Sequence, residues 1–138
     1  MKNTYSWKPR ELVLHDGYDV IVAGGGPAGI AAAVSSAREG AETLLIEATG
    51  ALGGMSTMGL VPAWCPFSDR EKIIYRGLAQ RIFEEGRRQM PHLNPNSLDW
   101  VPIDPEIMKV ATTIFARNSA FTSSSARSSP TRRPKTGK

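Results

Sequence analysis

The sequence predicts an α/β fold with a parallel sheet, and three consecutive features in its first third predict it. Residues 19–23, DVIVA, form a short apolar run that is typical of a buried parallel strand. The alanine-rich stretch 29–39 predicts a helix, and Gly40 is placed to end it. A second apolar run, residues 44–46, then completes a strand–helix–strand unit, in which the helical crossover makes the two strands parallel.

The turn between the first strand and the helix has the spacing G-x-G-x-x-G, with Gly24, Gly26 and Gly29 as its glycines. In such a turn the first glycine allows a sharp bend, the second lets a pyrophosphate approach the backbone, and the third lets the helix pack closely on the sheet. Pro27 and Ala28 lie at the helix N-terminus, where free N–H groups and the positive dipole end attract phosphate. The span is therefore predicted to be a Rossmann-like βαβ unit that binds the ADP half of a dinucleotide.

An acidic residue follows the second strand. Glu47 lies 23 residues after Gly24, at the place where such units carry the residue that accepts hydrogen bonds from ribose hydroxyls. A carboxylate there would repel a 2′-phosphate, so NADP is disfavoured. A structural turn in an α/β domain that binds no phosphate is the alternative interpretation. The combination of strand, turn, helix and acid favours the dinucleotide.

A second glycine-rich segment follows the acid. Residues 52–59 read LGGMSTMG, after GGGPAG at 24–29 and LLIE at 44–47. On these three motifs the chain resembles the FAD-dependent oxidoreductases of the glutathione-reductase-like superfamily, which have two dinucleotide-binding domains. Ser56 stands where that family usually has alanine, and the exchange of one small residue for another leaves the resemblance intact.

The resemblance implies a cofactor and a function. It implies FAD, with Gly53 and Gly54 beside the pyrophosphate and ribityl chain and Thr57 near the isoalloxazine ring. Two adjacent glycines also allow close backbone approach to a ligand on their own chemistry, although an ordinary surface loop is the alternative. The implied function is the FAD-binding part of a flavin-dependent oxidoreductase, which transfers a hydride between FAD and an unknown small-molecule substrate. No catalytic acid or base is predicted.

Residues 71–90 predict an amphipathic helix. Ile74, Leu78 and Ile82 recur every fourth residue and form an apolar stripe. Gly77 interrupts this pattern, at a modest cost to helix stability. The helix is predicted to stop before the proline at position 91, which begins a turn-rich connector.

A further helix is predicted to begin at Asp104. Asp104 is a favourable N-cap, and Pro105 suits the first helical position. Ile107, Ala111 and Ile114 follow at helical spacing, so we expect them on the buried face.

The C-terminal part differs in charge from the rest of the chain. All 13 acidic residues lie in the first 106 positions, whereas residues 107–138 carry seven basic residues and no acid. The stretch 118–138 is dominated by Ser, Thr, Arg, Lys and Pro, a composition that predicts disorder because it buries little apolar surface. A basic arm for nucleic acid or anionic lipid is one interpretation, but Phe121 is its only aromatic residue, so no nucleic-acid partner is predicted. A solvated tail without a partner is another.

A third interpretation is that the tail is not the natural coding sequence. In the family that the chain resembles, a DPE helix leads through a Gly-Val turn into another strand, whereas this chain turns to Ser, Thr and Arg. One back-translation of residues 117–122, read in a shifted frame, gives ELGVHV. We hypothesise a frameshift within residues 111–117, and resequencing of the gene tests this hypothesis.

These features predict three regions: a polar leader at 1–17, a partial FAD-binding Rossmann-like domain at 18–117, and the basic tail at 118–138. The leader lacks the apolar core of a secretory signal, and no run is long enough to span a membrane. Two evident strands leave unpaired edges, so we expect the isolated chain to be an incomplete, marginally stable fragment. There are two alternatives: a truncated, non-functional fragment that binds nothing tightly, and a non-catalytic nucleotide-binding module with a basic interaction tail.

The remaining reactive side chains predict little further chemistry. A single cysteine, Cys65, excludes an intrachain disulfide and is compatible with a reducing cytoplasm. His15 and His92 have no spacing suited to metal ligation, so no metal site is predicted. The sequence does not predict an oligomeric state.

Overall fold

The computed structural model describes residues 16–65, 67–118 and 122–125. In chain order the elements are β1 (Val20–Ala23), α1 (Pro27–Arg38), β2 (Thr43–Glu47), β3 (Ala63–Trp64), α2 (Leu78–Arg88), β4 (Val101–Pro102), α3 (Pro105–Arg117) and β5 (Thr122–Ser125). A single 3₁₀ turn, Gly54–Ser56, lies between β2 and β3. In the part of the chain covered by these ranges, no helix has the length and apolarity needed to cross a bilayer.

The main sheet has the order β1-β2-β5, and both of its pairings are parallel. Val20 lies opposite Thr43, and Ala23 lies opposite Ile46. The predicted parallel sheet and the βαβ unit are therefore confirmed. Strands β3 and β4 form a separate antiparallel pair, which connects the segment after the sheet to the start of α3.

The first helix ends as its glycine predicts. Gly40 has φ +89°. This backbone conformation is unfavourable for any residue that has a side chain, but not for glycine. The N–H of Gly40 donates to the carbonyl of Ala37, and the N–H of Ala41 donates to the carbonyl of Ser36, each at 3.1 Å. This is a Schellman motif, and it turns the chain back toward the sheet so that β2 lies beside β1.

The three helices of the described residues meet in one apolar cluster. Ile30 and Val34 of α1 are fully buried and contact Ile82 of α2 and Met108 of α3. On the sheet side, Leu45 of β2 is 1% exposed. Because α1 lies between the sheet and the other two helices, its N-terminus is held in place beside the carboxyl ends of β1 and β2.

The helix predicted over 71–90 is shorter than its periodicity indicates, since α2 begins seven residues later. The predicted helix would begin with Glu71 and Lys72. Instead, their N–H groups donate hydrogen bonds to the Oδ1 of Asp69, at 2.9 and 2.7 Å. These bonds make a turn that competes with a helix. Gly77, with φ +76°, then becomes the N-cap of α2, and Ile74 of the predicted stripe is 55% exposed.

The start of α3 agrees with the prediction. The Oδ1 of Asp104 accepts hydrogen bonds from the N–H of Glu106 at 2.8 Å and from that of Ile107 at 3.1 Å. Asp104 is thus the N-cap, and Pro105 occupies the first helical position.

The buried face of α3 is rotated relative to the predicted one. Its buried residues are Met108, Ala111, Thr112 and Ala116. Ile114, which is predicted to be buried, is 40% exposed. The reason lies in α2, where a Cβ on Gly86 would stand 2.6 Å from the Sδ of Met108. The methionine fills the space that this glycine leaves, and this close approach sets the rotation of α3.

Strand β5 changes the description of the tail. The backbone of residues 122–125 pairs with β2, from Leu44 opposite Thr122 to Glu47 opposite Ser125. The prediction of disorder over 118–138 is therefore wrong for these four residues, because the open edge of β2 gives them backbone partners. The leader residues 1–15, which include His15, and the tail residues 119–121 and 126–138 lie outside the described residues.

Candidate functional site

The predicted glycine-rich turn, residues 24–29, leads from the end of β1 into α1. Gly24 has φ +104°, the left-handed conformation that the bend requires. A Cβ on Gly29 would lie only 1.7 Å from the carbonyl oxygen of Gly24, so a side chain there is sterically excluded. A Cβ on Gly26 would have no neighbour within 4 Å, which means that the space beside this residue is open.

The turn presents backbone donors toward this open space. Within the described ranges, the N–H groups of Gly26, Ala28 and Gly29 have no hydrogen-bond acceptor, and Pro27 has no N–H to satisfy. The N-cap of α1 is Gly26, which has no side chain to cap the helix. The free donors and the positive end of the helix dipole can therefore bind an anion, and phosphate is the anion that such helix starts commonly hold.

Glu47 lies next to the turn at the end of β2. Its Oε2 accepts a hydrogen bond from the N–H of Gly25 at 2.5 Å, and its Oε1 accepts one from the N–H of Thr49 at 2.7 Å. Hydrogen bonds from Thr49 and then from Gly25 hold the pKa of Glu47 below the 4.5 of an unperturbed glutamate. The carboxylate is thus ionised at neutral pH, and its oxygens keep lone pairs that can accept hydrogen bonds from hydroxyl groups.

The second glycine pair packs directly on the turn. We call residues 52–57 the diglycine loop. The N–H of Gly53 donates to the carbonyl of Gly25 at 2.9 Å. A Cβ on Gly54 would stand 2.9 Å from the Cα of Gly26, so the two backbones are in contact. The structure therefore brings the two glycine motifs and Glu47 together at the carboxyl end of the sheet, although 22 positions separate Gly25 from Glu47 in the sequence.

Thr57 has surroundings that differ from the role implied by the resemblance. Its side chain is fully buried, and its hydroxyl group lies 2.9 Å from the carbonyl oxygen of Leu52 and 3.2 Å from that of Gly54. It therefore supports the diglycine loop from inside the protein. Contact between its hydroxyl group and a flavin ring stays a prediction, and this geometry does not favour it.

Two residues near the turn, Gly25 and Thr112, are not among the predicted site residues. Gly25 binds both Glu47 and Gly53 through its backbone, and a Cβ on it would stand 2.5 Å from the Cδ2 of Leu52. The run of three glycines is the signal for Gly25, which occupies an unspecified position of G-x-G-x-x-G. The hydroxyl group of Thr112 in α3 lies 3.3 Å from the Leu52 carbonyl oxygen. The two residues are 60 positions apart in the sequence, so no local motif indicates this contact.

These groups fit the ADP half of a dinucleotide. Free N–H groups suit the phosphates, an ionised carboxylate suits ribose hydroxyls, and the open space at Gly26 admits a ligand to the backbone. Among the described residues no group of three or more His, Cys, Asp or Glu side chains has a geometry suited to a metal ion.

Comparison with known proteins agrees with this geometry. A family model described as FAD dependent oxidoreductase matches residues 19–125, the span from β1 to β5. The match runs past residues 111–117, the region in which a frameshift is hypothesised, and that hypothesis stays a prediction.

Individual relatives match shorter parts of their own length. A dihydrolipoyl dehydrogenase of Trypanosoma brucei brucei is 47% identical over 47 residues, which are 33% of this chain and 10% of that protein. A fumarate reductase (cytochrome) of Shewanella frigidimarina is 31% identical over 99 residues, which are 70% of this chain and 15% of that protein. The chain thus spans a small fraction of the relatives that it matches.

Solved structures of similar proteins include THI4 of Thermovibrio ammonificans, with a TM-score of 0.48 and 17% identity over 78% of this chain and 38% of that one. Aklavinone-11 hydroxylase, solved with FAD and aklavinone, has a TM-score of 0.39 and 17% identity over 82% of this chain and 26% of that one. The family model, by contrast, covers most of the present chain. The chain belongs to the FAD dependent oxidoreductase family, and it carries the FAD-binding part of such an enzyme.

Proposed function

We propose that the glycine-rich turn, Glu47 and the diglycine loop hold the ADP half of FAD. In this proposal the pyrophosphate lies against the free N–H groups of Gly26, Ala28 and Gly29, beside the open space at Gly26. The single observation that carries the proposal is this row of unbonded donors at the start of a helix whose N-cap has no side chain. Gly24 supplies the bend and Pro27 the first helical residue, so both act through the backbone.

Glu47 is proposed to accept hydrogen bonds from the ribose hydroxyls. Its two oxygens are already fixed by backbone N–H groups, so the carboxylate is oriented before a ligand arrives. Its lowered pKa keeps it ionised, and a negative charge there disfavours a ligand with a 2′-phosphate. Gly53 and Gly54 are proposed to run beside the pyrophosphate and ribityl chain. The buried hydroxyl group of Thr57 supports their loop through its hydrogen bond to the carbonyl of Leu52.

For the whole enzyme we propose hydride transfer between a small-molecule substrate and FAD. FAD supplies the redox chemistry when it is bound, and the protein supplies binding, orientation and electrostatics. The residues of this chain perform the binding share, because the turn fixes the cofactor at its phosphates and thereby sets the position of its far end. The chain spans 10–15% of the relatives described above, and we assign no acid or base to its described residues.

A comparison of two flavins tests the binding proposal. FMN shares the isoalloxazine ring and ribityl chain of FAD but lacks the adenosine that Glu47 would bind. We therefore expect the chain to retain FAD after desalting, with visible flavin absorbance, and to bind FMN at least about tenfold more weakly. ADP is expected to displace FAD, because both compete for the turn and for Glu47.

The outcomes separate the possible functions. Equal affinity for FAD and FMN, or a failure of ADP to compete, would place the binding site away from the turn. Retention of neither flavin would support the alternative of a non-functional fragment. Binding to anionic vesicles or nucleic acid that salt abolishes, without flavin binding, would support an interaction module instead.

We also propose a cytoplasmic location and no nucleic-acid partner. The one cysteine of the chain needs no oxidising compartment, and the basic residues of the tail lack aromatic groups for base stacking beyond Phe121. Cell fractionation with an antibody to the chain tests the location.

A further inference from the structure

The peptide unit between Leu52 and Gly53 is held at both of its ends. Its N–H donates to the carbonyl of Gly25 at 2.9 Å, and its carbonyl oxygen lies within hydrogen-bond distance of the hydroxyl groups of Thr57 and Thr112. A peptide unit is planar, so it rotates as one rigid body. A restraint on the carbonyl therefore also fixes the N–H on the opposite side, and with it the contact to the glycine-rich turn.

The hydroxyl group of Thr57 favours the Leu52 carbonyl over its other neighbour. The carbonyl of Gly54 already accepts hydrogen bonds from the N–H groups of Thr57 and Gly59, at 3.1 and 3.0 Å. A carbonyl oxygen has two lone pairs, and both are thereby occupied. The Leu52 oxygen is also the nearer of the two, at 2.9 Å against 3.2 Å. Thr57 thus donates to the peptide that contacts the turn.

Burial makes this hydrogen bond consequential. Thr57 is 0% exposed, so no water replaces its hydroxyl group if it is removed. Its Cγ2 also fills the space that a Cβ on Gly53 would occupy, at 2.4 Å from that position. The hydroxyl group therefore sets the orientation of the Leu52–Gly53 peptide, and the methyl group packs against Gly53, which has φ +109°.

Thr112 links the same peptide to α3. It is 2% exposed, and its hydroxyl group lies 2.8 Å from the carbonyl oxygen of Met108 and 3.2 Å from that of Lys109, both in its own helix, and 3.3 Å from that of Leu52. A hydroxyl group has one proton to donate, so the nearer helical carbonyl takes most of it. The contact from α3 is therefore the weaker of the two restraints on Leu52.

We propose that Thr57, assisted by Thr112, is a positioning residue for FAD. The hydroxyl group of Thr57 fixes the Leu52–Gly53 peptide, with a weaker contact from that of Thr112, and so holds Gly53 and Gly54 in contact with the glycine-rich turn. This inference rests on the proposed function, because it assigns the two threonines a role in the same binding site.

The test uses one conservative variant and one matched control. Thr57→Val removes the hydroxyl group with little change of shape, and Thr57→Ser keeps it. Thr43→Val is the control, because Thr43 is also buried, at 2% exposed, and its hydroxyl group also donates to a backbone carbonyl, that of Ala41 at 3.0 Å. Thr43 lies at the opposite end of β2 from Glu47, away from the diglycine loop.

We expect Thr57→Val to raise the Kd for FAD about tenfold, which is the effect of losing one buried hydrogen bond that positions a ligand. Thr57→Ser and Thr43→Val are expected to stay within about twofold of the wild type. Thr112→Val is expected to have a smaller effect than Thr57→Val. In the double variant Thr57→Val/Thr112→Val, the increase in the Kd for FAD is expected to be smaller than the product of the two single increases. The reason is that both hydroxyl groups contact the same acceptor, the carbonyl oxygen of Leu52.

A second measurement separates this inference from the proposed function. The exchange rate of the Gly53 amide hydrogen reports the contact with Gly25 directly, without FAD. We expect Thr57→Val to accelerate this exchange at least about fivefold while leaving the amide of Leu45 in β2 unchanged. Thr43→Val is expected to leave Gly53 unchanged.

Two outcomes would overturn the inference. The first is that Thr57→Val has the same Kd for FAD and the same Gly53 amide exchange rate as the control Thr43→Val. The other is an equal loss of affinity in Thr57→Val and Thr57→Ser. If the wild-type chain binds no FAD, the proposed function fails, and the exchange measurement still decides whether the threonines fix the peptide.

Discussion

Gly25 makes three contacts that only a residue without a side chain can combine. Its N–H donates to Glu47, its carbonyl accepts from Gly53, and the space of its missing Cβ is taken by Leu52. A backbone with no side chain can approach neighbours on several sides at once. At the scale of single residues, the site is thus built mainly from backbone groups, and small changes of volume are expected to have large and opposite effects.

Two alanine substitutions in the turn test this expectation. Gly26→Ala places a methyl group in open space at φ −71°, a conformation that alanine adopts freely, so we expect the midpoint of thermal unfolding to be unchanged or slightly raised. The same methyl group obstructs the proposed pyrophosphate position and is expected to raise the Kd for FAD at least about tenfold. Calorimetry and flavin titration measure the two effects.

Gly29→Ala is the matched substitution with the opposite expectation. Its methyl group would collide with the carbonyl of Gly24, 1.7 Å away, so we expect the free energy of unfolding to fall by about 3 kcal/mol or more. Urea unfolding measures this loss. Comparable stability of the two alanine variants would contradict the geometry of the turn.

The lowered pKa of Glu47 predicts a pH dependence. The pKa of Glu47 in the folded protein lies below the unperturbed value of 4.5. The hydrogen bonds to its carboxylate therefore stabilise the fold fully above pH 4.5, and this stabilisation is lost as the pH falls through the folded-state pKa. We expect the stability difference between wild type and Glu47→Gln to be constant from neutral pH to about pH 5 and to shrink in more acid solution. Urea unfolding from pH 7 to pH 3 checks this, and a difference that grows on acidification would contradict it.

At the scale of elements, the sequence predicts best where a local signal decides the structure. Asp104 caps α3 and Gly40 ends α1, because each acts through its immediate neighbours. The start of α2 is mispredicted since Asp69 forms a competing turn. The buried face of α3 is predicted only in part: Ala111 is buried as expected, but Ile114 is exposed. The rotation depends on Gly86 of another helix, and periodicity alone does not register such a contact.

The cap of α3 gives a prediction at this scale. Asp104→Ala leaves the N–H groups of Glu106 and Ile107 without their acceptor, so we expect the free energy of unfolding to fall by about 1 kcal/mol. Asp104→Asn keeps an acceptor oxygen and is expected to lose less than about half of that. Urea unfolding of both variants measures the difference, and equal losses would show that charge rather than capping matters.

At the scale of the whole molecule, the two faces of the sheet have different surroundings. Val22 faces α1, since its Cγ1 lies 3.5 Å from the position of a Cβ on Gly29. Side chains alternate along a strand, so Ile21 and Ile46 point to the opposite face, where they stay 59% and 38% exposed. An exposed apolar face of this kind is a surface on which another element or molecule can pack. The expected marginal stability of the isolated chain stays a prediction.

Substitutions on the two faces are expected to separate exposure from packing. Ile21→Thr should reduce the binding of a dye specific for apolar surfaces and change the free energy of unfolding by no more than about 0.5 kcal/mol. Val22→Thr adds a hydroxyl group to the packed face and should cost about 1–2 kcal/mol without lowering dye binding. Dye fluorescence and urea unfolding on the same samples check both, and a large loss of stability in Ile21→Thr would contradict the exposed position of this face.

The predictability of the site also depends on distance along the chain. The turn, the acid and the glycine pair carry motifs, so Gly24, Glu47 and Gly53 are predicted from the sequence alone. The support for these residues comes from buried hydroxyl groups, and Thr112 reaches the loop only because α3 packs against α2 with a particular rotation. No motif encodes such a tertiary contact.

The spacing of these contacts also bears on how the chain is made. The turn, Glu47 and the diglycine loop all lie within residues 24–57, so they can meet early, because short loops close faster than long ones. Thr112 arrives 60 positions after Leu52. During synthesis the residues proposed to hold the cofactor therefore emerge and contact one another first. Helix α3 is made later, and its Thr112 then adds a contact to a binding site that has already formed.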